Sequence, residues 1–553
     1  MSKFDRFPSR TATKITQSFL DECQDNLEFS LRLISEIEVS DTFSIKTSDQ
    51  HGFVGQDFYE ARGKIPAVSR TIGEYLRPQV EFSSLKLSIS NVDGRFDSIL
   101  PGGDDYSGLT NKSLSLRVGL SDKDSSYIPI FRGSVTPVAG LSRSSKEITF
   151  IARDRFDLLN IDIPASQFTK SRFPNMEKTG DYIPVIYGSF QDIKVPLYVI
   201  NDSLVKKEDN FDPVEIVLSS NDLKSVSGLV LQRDGSEYPV ALTDYSFGSG
   251  LKTLFVRQGG DTLIDGEPFK FKSSDKFLCH LVGKDLGDYT DNIISQAKDI
   301  LISLAGATEA DFDSSWERFR DKPAPAVSAI KNIKSRVYLN KKLKAIDYVL
   351  SMFEQVRLEM FQSRSLKLSL SSLHFDDFVA EPEMRIDNFD VERGSLKITT
   401  DFKNTFTGAQ GFFAPDFEGA SKSTPLLRNK AAEDQLSQKI FKKIDFPNLY
   451  EKDAVTSQTE EILKLASAYR EYVELTLTPR SLLVDIGDWL LVDISDSGAV
   501  FDKIPMLVRS VSISPEFKIK IMLFSFQMIP FTGWNPGYSG IIGGENAKVI
   551  KEN

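Results

Sequence analysis

The sequence has very few cysteines and no long apolar run. Only Cys23 and Cys279 occur among 553 residues, so no framework of disulfides is expected. The apolar runs are too short to cross a bilayer, and the N-terminal stretch MSKFDRFPSR lacks the apolar core of a signal peptide. We therefore predict a protein that is synthesised in the cytosol and does not insert into a membrane.

Dense basic segments are also missing. The formal net charge is −11 at pH 7, and no segment has the lysine and arginine density that holds a row of phosphates. Tight nucleic-acid binding is therefore not expected. Phenylalanine is abundant instead, with 40 residues against three tryptophans, and it is spread over segments of alternating polarity. This pattern is typical of β-rich cores.

Histidine is too scarce to indicate a catalytic or metal site. His51, His280 and His374 are scattered over the chain, and no G-x-S-x-G nucleophile motif accompanies them. Cys279 and His280 are neighbours in a predicted strand, so their side chains point to opposite faces, and no second pair completes a tetrahedral site. We predict no catalytic residue, no metal site and no cofactor.

Acidic clusters leave one enzymatic alternative open. Two carboxylates held at a fixed separation can hydrolyse a glycosidic bond. Solvated loops are the commoner explanation for acidic clusters on a β protein. The clusters are Asp104 with Asp105, Asp311 with Asp313, and Asp376 with Asp377.

Hydrophobic periodicity predicts the fold class. Short period-two runs separated by turn residues cover most of the chain, and Asp234 with Gly235 is a hairpin turn dipeptide. The prediction is a mainly β, multidomain chain with α+β parts, in which two tandem antiparallel β-barrels accompany a β-rich insertion and a small helical domain. The predicted segments are an arm (1–26), a first barrel (27–175), a second β-rich domain (176–288), a helical domain (289–379), a closing barrel with one helix (380–530) and a flexible tail (531–553).

Three stretches change to the 3.6-residue period of amphipathic helices. The first follows Thr290, which is placed to cap its start. The second covers 343–360 and is followed at once by an alternating strand. The third covers 456–471, where Ser457 and Glu460 have capping-box spacing. Helices and strands are therefore expected to pack as neighbours.

The stretch SLKLSISNVDGRFDSILPGG at 84–103 ends an alternating strand in a polar corner. Asp93 and Gly94 form a turn dipeptide, and Asn91 is able to hydrogen-bond its own turn. We predict that the Arg95 guanidinium binds Asp93 or Asp97 and fixes how the strands leave the corner. A catalytic loop is the alternative interpretation.

The last residues combine glycines with isolated aromatic side chains. Trp534 and Tyr538 are too few to form a core, and aromatic residues in such segments are typical anchors for a partner. We predict that 531–553 bind another protein through these two residues.

Several short motifs occur in an order that resembles the baseplate or tail-tip hub proteins of long-tailed bacteriophages. The last of them differs from the family pattern, because Val484 and Asp485 replace its usual proline. The motifs are the corner Ser90–Phe96, Asn111 at a strand start, Phe131 with Arg132 and Gly133, Ala152 with Arg153 and Asp154, Pro184 with Tyr187 and Gly188, and the turn Ile486–Asp488.

The resemblance implies a structural protein of the virion and not an enzyme. It implies a homotrimer whose tandem barrels present six similar units around a pore, so that a sixfold tail tube meets a threefold tip. The expected partners are the tail tube protein, the distal tail ring protein, the tape-measure protein and a central spike or fibre. DNA would pass through without specific binding. A β-rich glycan hydrolase or lyase, and a receptor-binding adhesin of the tail tip, are the alternatives.

Overall fold

The computed structural model describes residues 32–527 apart from internal gaps. The predicted arm and tail, with Trp534 and Tyr538, lie outside the described residues. Within them the chain is mainly β, with several sheets and a small helical part, which confirms the predicted fold class. The gaps are 41–42, 65, 67, 73–79, 82–83, 102, 105–108, 110, 120–126, 137–144, 206–211, 273, 322–332, 364–366, 374–383, 402–404, 479–480, 483, 497–498 and 515–516.

The N-terminal strands follow the alternation of the sequence. In the strand 84–90, Leu85, Leu87 and Ile89 are buried and the residues between them are exposed or half-buried. The strands are β1 (Arg32–Ser40), β2 (Phe43–Ser48), β3 (Gly52–Val54), β4 (Asp57–Ala61), β5 (Gly63–Lys64), β6 (Val68–Ile72), β7 (Val80–Glu81), β8 (Ser84–Ser90), β9 (Ser113–Gly119), β10 (Ile128–Val135) and β11 (Glu147–Asp154).

A short piece of chain links the two sides of the first sheet. Its nine strands have the order β3-β4-β2-β1-β9-β10-β11-β8-β5. Strand β4 pairs with β2 next to the edge strand β3, and β5 pairs with β8 at the other edge. Because only Arg62 separates β4 from β5, this short segment joins the two sides of the sheet. We call the segment 60–64 the closure segment.

The second β-rich region contains two four-stranded sheets around a common core. Asp234 and Gly235 both have positive φ between β17 and β18, which confirms the predicted hairpin turn. The elements are β12 (Asp162–Ile163), β13 (Val185–Tyr187), β14 (Val195–Pro196), β15 (Tyr198–Val199), α1 (Asp202–Val205), β16 (Val214–Val217), β17 (Ser225–Arg233), β18 (Ser236–Pro239), β19 (Tyr245–Phe247), β20 (Thr253–Val256), β21 (Leu263–Ile264), β22 (Glu267–Pro268) and β23 (Lys276–Val282).

Helices and short strands alternate in the next region and share one core. Short 3₁₀ helices occur here and upstream at Asp97–Ile99, Arg155–Leu159, Leu242–Asp244, Ser249–Leu251, Gly287–Tyr289 and Glu309–Asp311. The longer elements are α2 (Ile293–Ser303), α3 (Ser315–Asp321), β24 (Val337–Leu339), β25 (Leu343–Lys344), α4 (Ala345–Glu354), β26 (Leu358–Gln362) and β27 (Leu368–Ser372).

The last region contains a small sheet, two helices and the closing sheet. The small sheet is centred on β30, which pairs with β31, β32 and β33. The elements are β28 (Met384–Asp387), β29 (Lys397–Asp401), β30 (Gly408–Phe413), β31 (Lys422–Ser423), β32 (Leu427–Arg428), α5 (Lys430–Leu436), β33 (Phe441–Phe446), α6 (Lys452–Ala466), β34 (Tyr469–Leu477), β35 (Trp489–Asp496), β36 (Ala499–Ile513) and β37 (Ile519–Gln527).

The starts of two predicted helices were wrong. Asn292 caps α2 by accepting hydrogen bonds from Ile294 N and Ser295 N, whereas Thr290 binds the turn before it. Helix α6 begins at Lys452, so Ser457 and Glu460 lie inside it instead of at its cap.

The second predicted helix is shorter than the apolar pattern at 343–360 indicated. Helix α4 ends at Glu354, which places Leu343 in β25 and Met360 in β26. Short apolar runs fit either period, so the boundaries of this helix were not determined by the pattern.

The closing sheet includes a strand from the start of the chain. Its main path is β28-β35-β36-β37-β34-β29, and β6 pairs with β36 between Val68–Thr71 and Ser510–Ile513. An isolated β-bridge pairs Val391 with Leu477. It connects the segment after the edge strand β28 to the end of β34, which lies beside the other edge strand, β29. The first sheet and the closing sheet contribute side chains to one hydrophobic core.

Candidate functional site

The polar corner after β8 is held by the Asn91 side chain. Its Oδ1 accepts a hydrogen bond from Phe96 N (2.9 Å), and its Nδ2 donates to Asp97 Oδ1 (2.8 Å) and to the Ser145 carbonyl (3.1 Å). Gly94 has φ of +70°, a conformation that favours glycine. Four of the residues predicted for this corner therefore meet in one turn, Asn91, Asp93, Gly94 and Arg95.

Arg62 of the closure segment binds the corner. Its guanidinium makes a bidentate ion pair with Asp93, with distances of 2.8 and 2.6 Å. It also binds Glu60 and lies 5.6 Å from the centre of the Phe96 ring. The corner is thereby tied to the segment that links the two sides of the first sheet.

The predicted partner of Arg95 was wrong. The Arg95 guanidinium binds Glu60, and only its backbone N–H donates to Asp93. A local motif contains Asp93 and Asp97 but not Glu60, because Glu60 lies 35 residues upstream. Nothing in the local sequence around Arg62 indicated that it is the bidentate partner. The role of the corner as a device that fixes strand geometry stays a prediction.

The Arg62 guanidinium lowers the pKa of the Asp93 carboxyl to about 2, from a usual value of 3.8. A lowered pKa in the folded state means that the ion pair stabilises the protein above pH 3.8 and that this stabilisation disappears as the pH falls towards 2.

We predict that Arg62→Ala lowers the free energy of unfolding at pH 7, by an amount that solvent screening of the exposed Asp93 keeps small. Arg95→Ala is the matched control and should have a smaller effect, since 57% of the Arg95 side chain is exposed. Urea unfolding measures both. The difference in the free energy of unfolding between the wild type and Arg62→Ala should become smaller as the pH falls from 5 to 2. A larger effect of Arg95→Ala would contradict the assignment.

The turn Ile486–Asp488 lies where the two large sheets and the helical region meet. Asp485, which with Val484 replaces the usual proline of the resembled family, makes a buried ion pair with Arg70 of β6 at 2.7 Å. Gly487 has φ of +77°, and a β-carbon at this position would lie 2.5 Å from the Phe361 ring. Ser371 donates a hydrogen bond to the Gly487 carbonyl. The turn therefore contacts β6, β26 and β27.

The hairpin of β26 and β27 is buried on both faces. Met360 and Leu370 belong to the core of the helical region, and Phe361 belongs to the core of the two large sheets. On the face towards the closing sheet, Glu359 makes a fully buried ion pair with Arg509 of β36. This hairpin connects the helical region to the closing sheet.

Two carboxylates of the predicted acidic pairs are hydrogen-bonded to neighbouring residues. Asp311 accepts hydrogen bonds from the backbone N–H and the hydroxyl of Thr308, which caps a 3₁₀ helix, and Asp313 accepts hydrogen bonds from Ser315 and Ser369. Asp105 and the pair 376–377 lie outside the described residues. Asp311 and Asp313 therefore have structural hydrogen bonds.

Cys279 and His280 face opposite sides of β23, as predicted. Burial raises the pKa of the Cys279 thiol to about 12, which disfavours a reactive thiolate. His280 Nδ1 lies 3.0 Å from the Ile193 carbonyl. Among the residues the structure describes, no group of three or more histidine, cysteine or acidic side chains is placed to hold a metal ion. None of the described helices has the length and apolar character needed to span a membrane.

Solved structures similar to this chain include phage tail proteins. A tail protein from Neisseria meningitidis MC58 is 8% identical, with a TM-score of 0.40, over 90% of this chain and 96% of its own. The 43 kDa tail protein of prophage MuSo2 from Shewanella oneidensis is 8% identical, with a TM-score of 0.38, over 89% and 98%. A chain of the native gene transfer agent virion is 9% identical, with a TM-score of 0.37, over 63% and 85%. No family model and no curated protein matches the chain.

Proposed function

We propose that this protein is a structural component of a phage tail, and that it forms the trimeric hub of the baseplate or tail tip. The observation that carries the proposal is the placement of the resembled motifs. The corner Ser90–Phe96 joins the closure segment of the first sheet, and the turn Ile486–Asp488 joins the closing sheet to β6 and β26. We infer that motifs placed in this way position the sheets.

The shared core of the two large sheets supports a rigid building block. Residues of both sheets pack in one hydrophobic cluster, and β6 crosses from the N-terminal region into the closing sheet. Such a unit suits a ring, because repeated copies must keep a constant angle between neighbours. In the proposed ring, three copies adapt a sixfold tube to a threefold tip, and the negative net charge favours passage of DNA without binding.

The proposed partners are the tail tube protein, the distal tail ring protein, the tape-measure protein and a central spike or fibre. Trp534 and Tyr538 are proposed to bind the tip protein. The proposed location is the tail tip of the virion, after synthesis in the host cytoplasm.

Antibody labelling of particles that contain this chain tests the proposal. Electron microscopy is expected to show the label at the tip end of the tail. Mass photometry should give about three times 61.9 kDa for the assembled chain, in addition to the mass of any bound partner protein. A chain truncated after residue 530 should keep three copies per assembly and lose attachment of the tip. The proposal would be contradicted by antibody label along the tail shaft or on the capsid. It would also be contradicted if the pure protein hydrolysed peptidoglycan.

A further inference from the structure

A rigid, exposed acidic surface lies at one end of the second β-rich region. Leu242 and Leu263 are 81% and 55% exposed. Asp244, which is buried, accepts hydrogen bonds from Thr262 N (2.5 Å) and Oγ1 (2.7 Å) and so joins the segments that carry the two leucines. We call this the acidic apolar surface, and it consists of Leu242, Leu263, Asp261, Asp265 and Glu267.

The acids of this surface form no ion pair with a lysine or arginine that the structure describes. Asp265 accepts a hydrogen bond from Tyr238, and Asp261 accepts one from Thr243, but in the described residues no lysine or arginine forms an ion pair with Asp261, Asp265 or Glu267. Asp265 and Gly266 both have positive φ, so the turn between β21 and β22 is tight. Three exposed acidic side chains thus accompany two exposed leucines on these segments.

A second exposed surface has the opposite charge. Strand β25 pairs with β12, which brings Leu343 next to the segment of Leu158 and Ile161. Lys342 and Lys344 both bind Asp162, at 2.7 and 3.0 Å, and they lower the pKa of that carboxyl. One carboxylate therefore faces two lysines, and the exposed Lys341 adds a third positive charge. We call this the basic apolar surface, and it consists of Leu158, Ile161, Leu343, Lys341, Lys342 and Lys344.

We propose that the acidic apolar surface of one copy binds the basic apolar surface of the next copy. Each surface combines exposed leucine or isoleucine with an excess of one charge, negative on the first and positive on the second, where three lysines outnumber Asp162. Different patches of the same chain that fit each other form a head-to-tail contact, which repeats and closes into a ring when the rotation permits. The inference rests on the proposed multi-copy assembly and names the surfaces that would build it.

Two other exposed apolar groups lack this asymmetry. Phe53 and Phe58 make an edge-to-face contact on the hairpin of β3 and β4, where Asp57 is already paired with Lys46. Phe389 is exposed near β28, where Asp493 is paired with Arg385. Neither place leaves several unbalanced charges of one sign around its apolar side chains.

Reciprocal charge reversal tests the contact. Asp265→Lys with Glu267→Lys reverses the acidic apolar surface, and Lys341→Glu with Lys342→Glu reverses the basic one. Each double variant is expected to weaken self-association of the full chain at least about tenfold, because like charges then face each other. The chain with all four substitutions should regain the wild-type association. Sedimentation velocity at increasing concentration measures it, and circular dichroism checks folding.

Asp502→Lys and Lys503→Glu are the matched controls, since both residues are exposed on β36 outside the two surfaces. They should leave self-association unchanged. Three results would overturn the inference. Either double variant associates as strongly as the wild type, the fourfold variant does not regain self-association, or the wild-type chain stays monomeric. Antibody label at the tip end of the tail in any of these cases would leave the tail function standing, so the two proposals fail separately.

Discussion

Arg509→Met is expected to lower the free energy of unfolding by about 3–5 kcal/mol, because it leaves the Glu359 carboxylate buried without a counter-ion. The exposed fraction of the side chain is 1% for Arg509 and 0% for Glu359. Glu359 Oε1 has no hydrogen-bond partner within the described residues, so nothing there replaces the guanidinium. Guanidinium chloride unfolding at pH 7 measures the change.

The double variant Arg509→Met with Glu359→Leu separates the ion pair from the packing. Replacing both charges by apolar groups of similar size removes the desolvation cost together with the attraction, so most of the lost stability should return. Lys518→Ala is the control, because its pair with Glu392 is exposed and should contribute at most about 1 kcal/mol. A double variant as unstable as Arg509→Met would show that packing, and not the unpaired charge, is responsible.

Gly487→Ala is expected to lower the free energy of unfolding by about 2–4 kcal/mol, the sum of left-handed backbone strain and overpacking. The added methyl group would lie 2.5 Å from the buried Phe361 ring, which cannot move without disturbing the core of the two large sheets. Thermal and chemical unfolding measure the change.

Gly235→Ala is the matched control for the backbone contribution. Gly235 has φ of +83°, close to that of Gly487, but a β-carbon there would have no atom within 4 Å. Gly235→Ala should therefore lower the free energy of unfolding only by the backbone strain, about 1–2 kcal/mol. Phe361→Leu should make Gly487→Ala less costly than in the wild-type background. Equal costs for the two glycine substitutions would contradict the proposed contact.

Local patterns in the sequence predicted the local structure well. The alternation of Leu85, Leu87 and Ile89 placed β8 and its buried face, and the Asp234–Gly235 dipeptide placed a hairpin turn. Both features depend on side chains within a few residues of each other. The corner also formed as a turn, since Asn91 and Gly94 supply the hydrogen bonds and the backbone conformation that it needs.

The sequence pattern did not predict which strands and side chains pair when they are far apart in the chain. Alternation does not state which strand pairs with which, so neither the Arg62–Asp93 ion pair nor the place of β6 was predicted. The hairpin of β26 and β27 alternates like a half-buried sheet, yet both its faces are covered, because different regions pack on its two sides. The predicted start of α2 was wrong because two possible capping residues, Thr290 and Asn292, lie close together in the sequence.

The crossing of β6 has a consequence for the order of events on the ribosome. The oxygen atoms of Thr71 and Ser510, on paired strands, are 3.2 Å apart in space and 439 residues apart in the chain. At bacterial elongation speeds of about 5–20 residues per second, β6 leaves the exit tunnel roughly 20–90 s before its partner exists. Strand β6 is therefore without its partner while most of the chain is made, and the closing sheet is completed only when this early strand joins it.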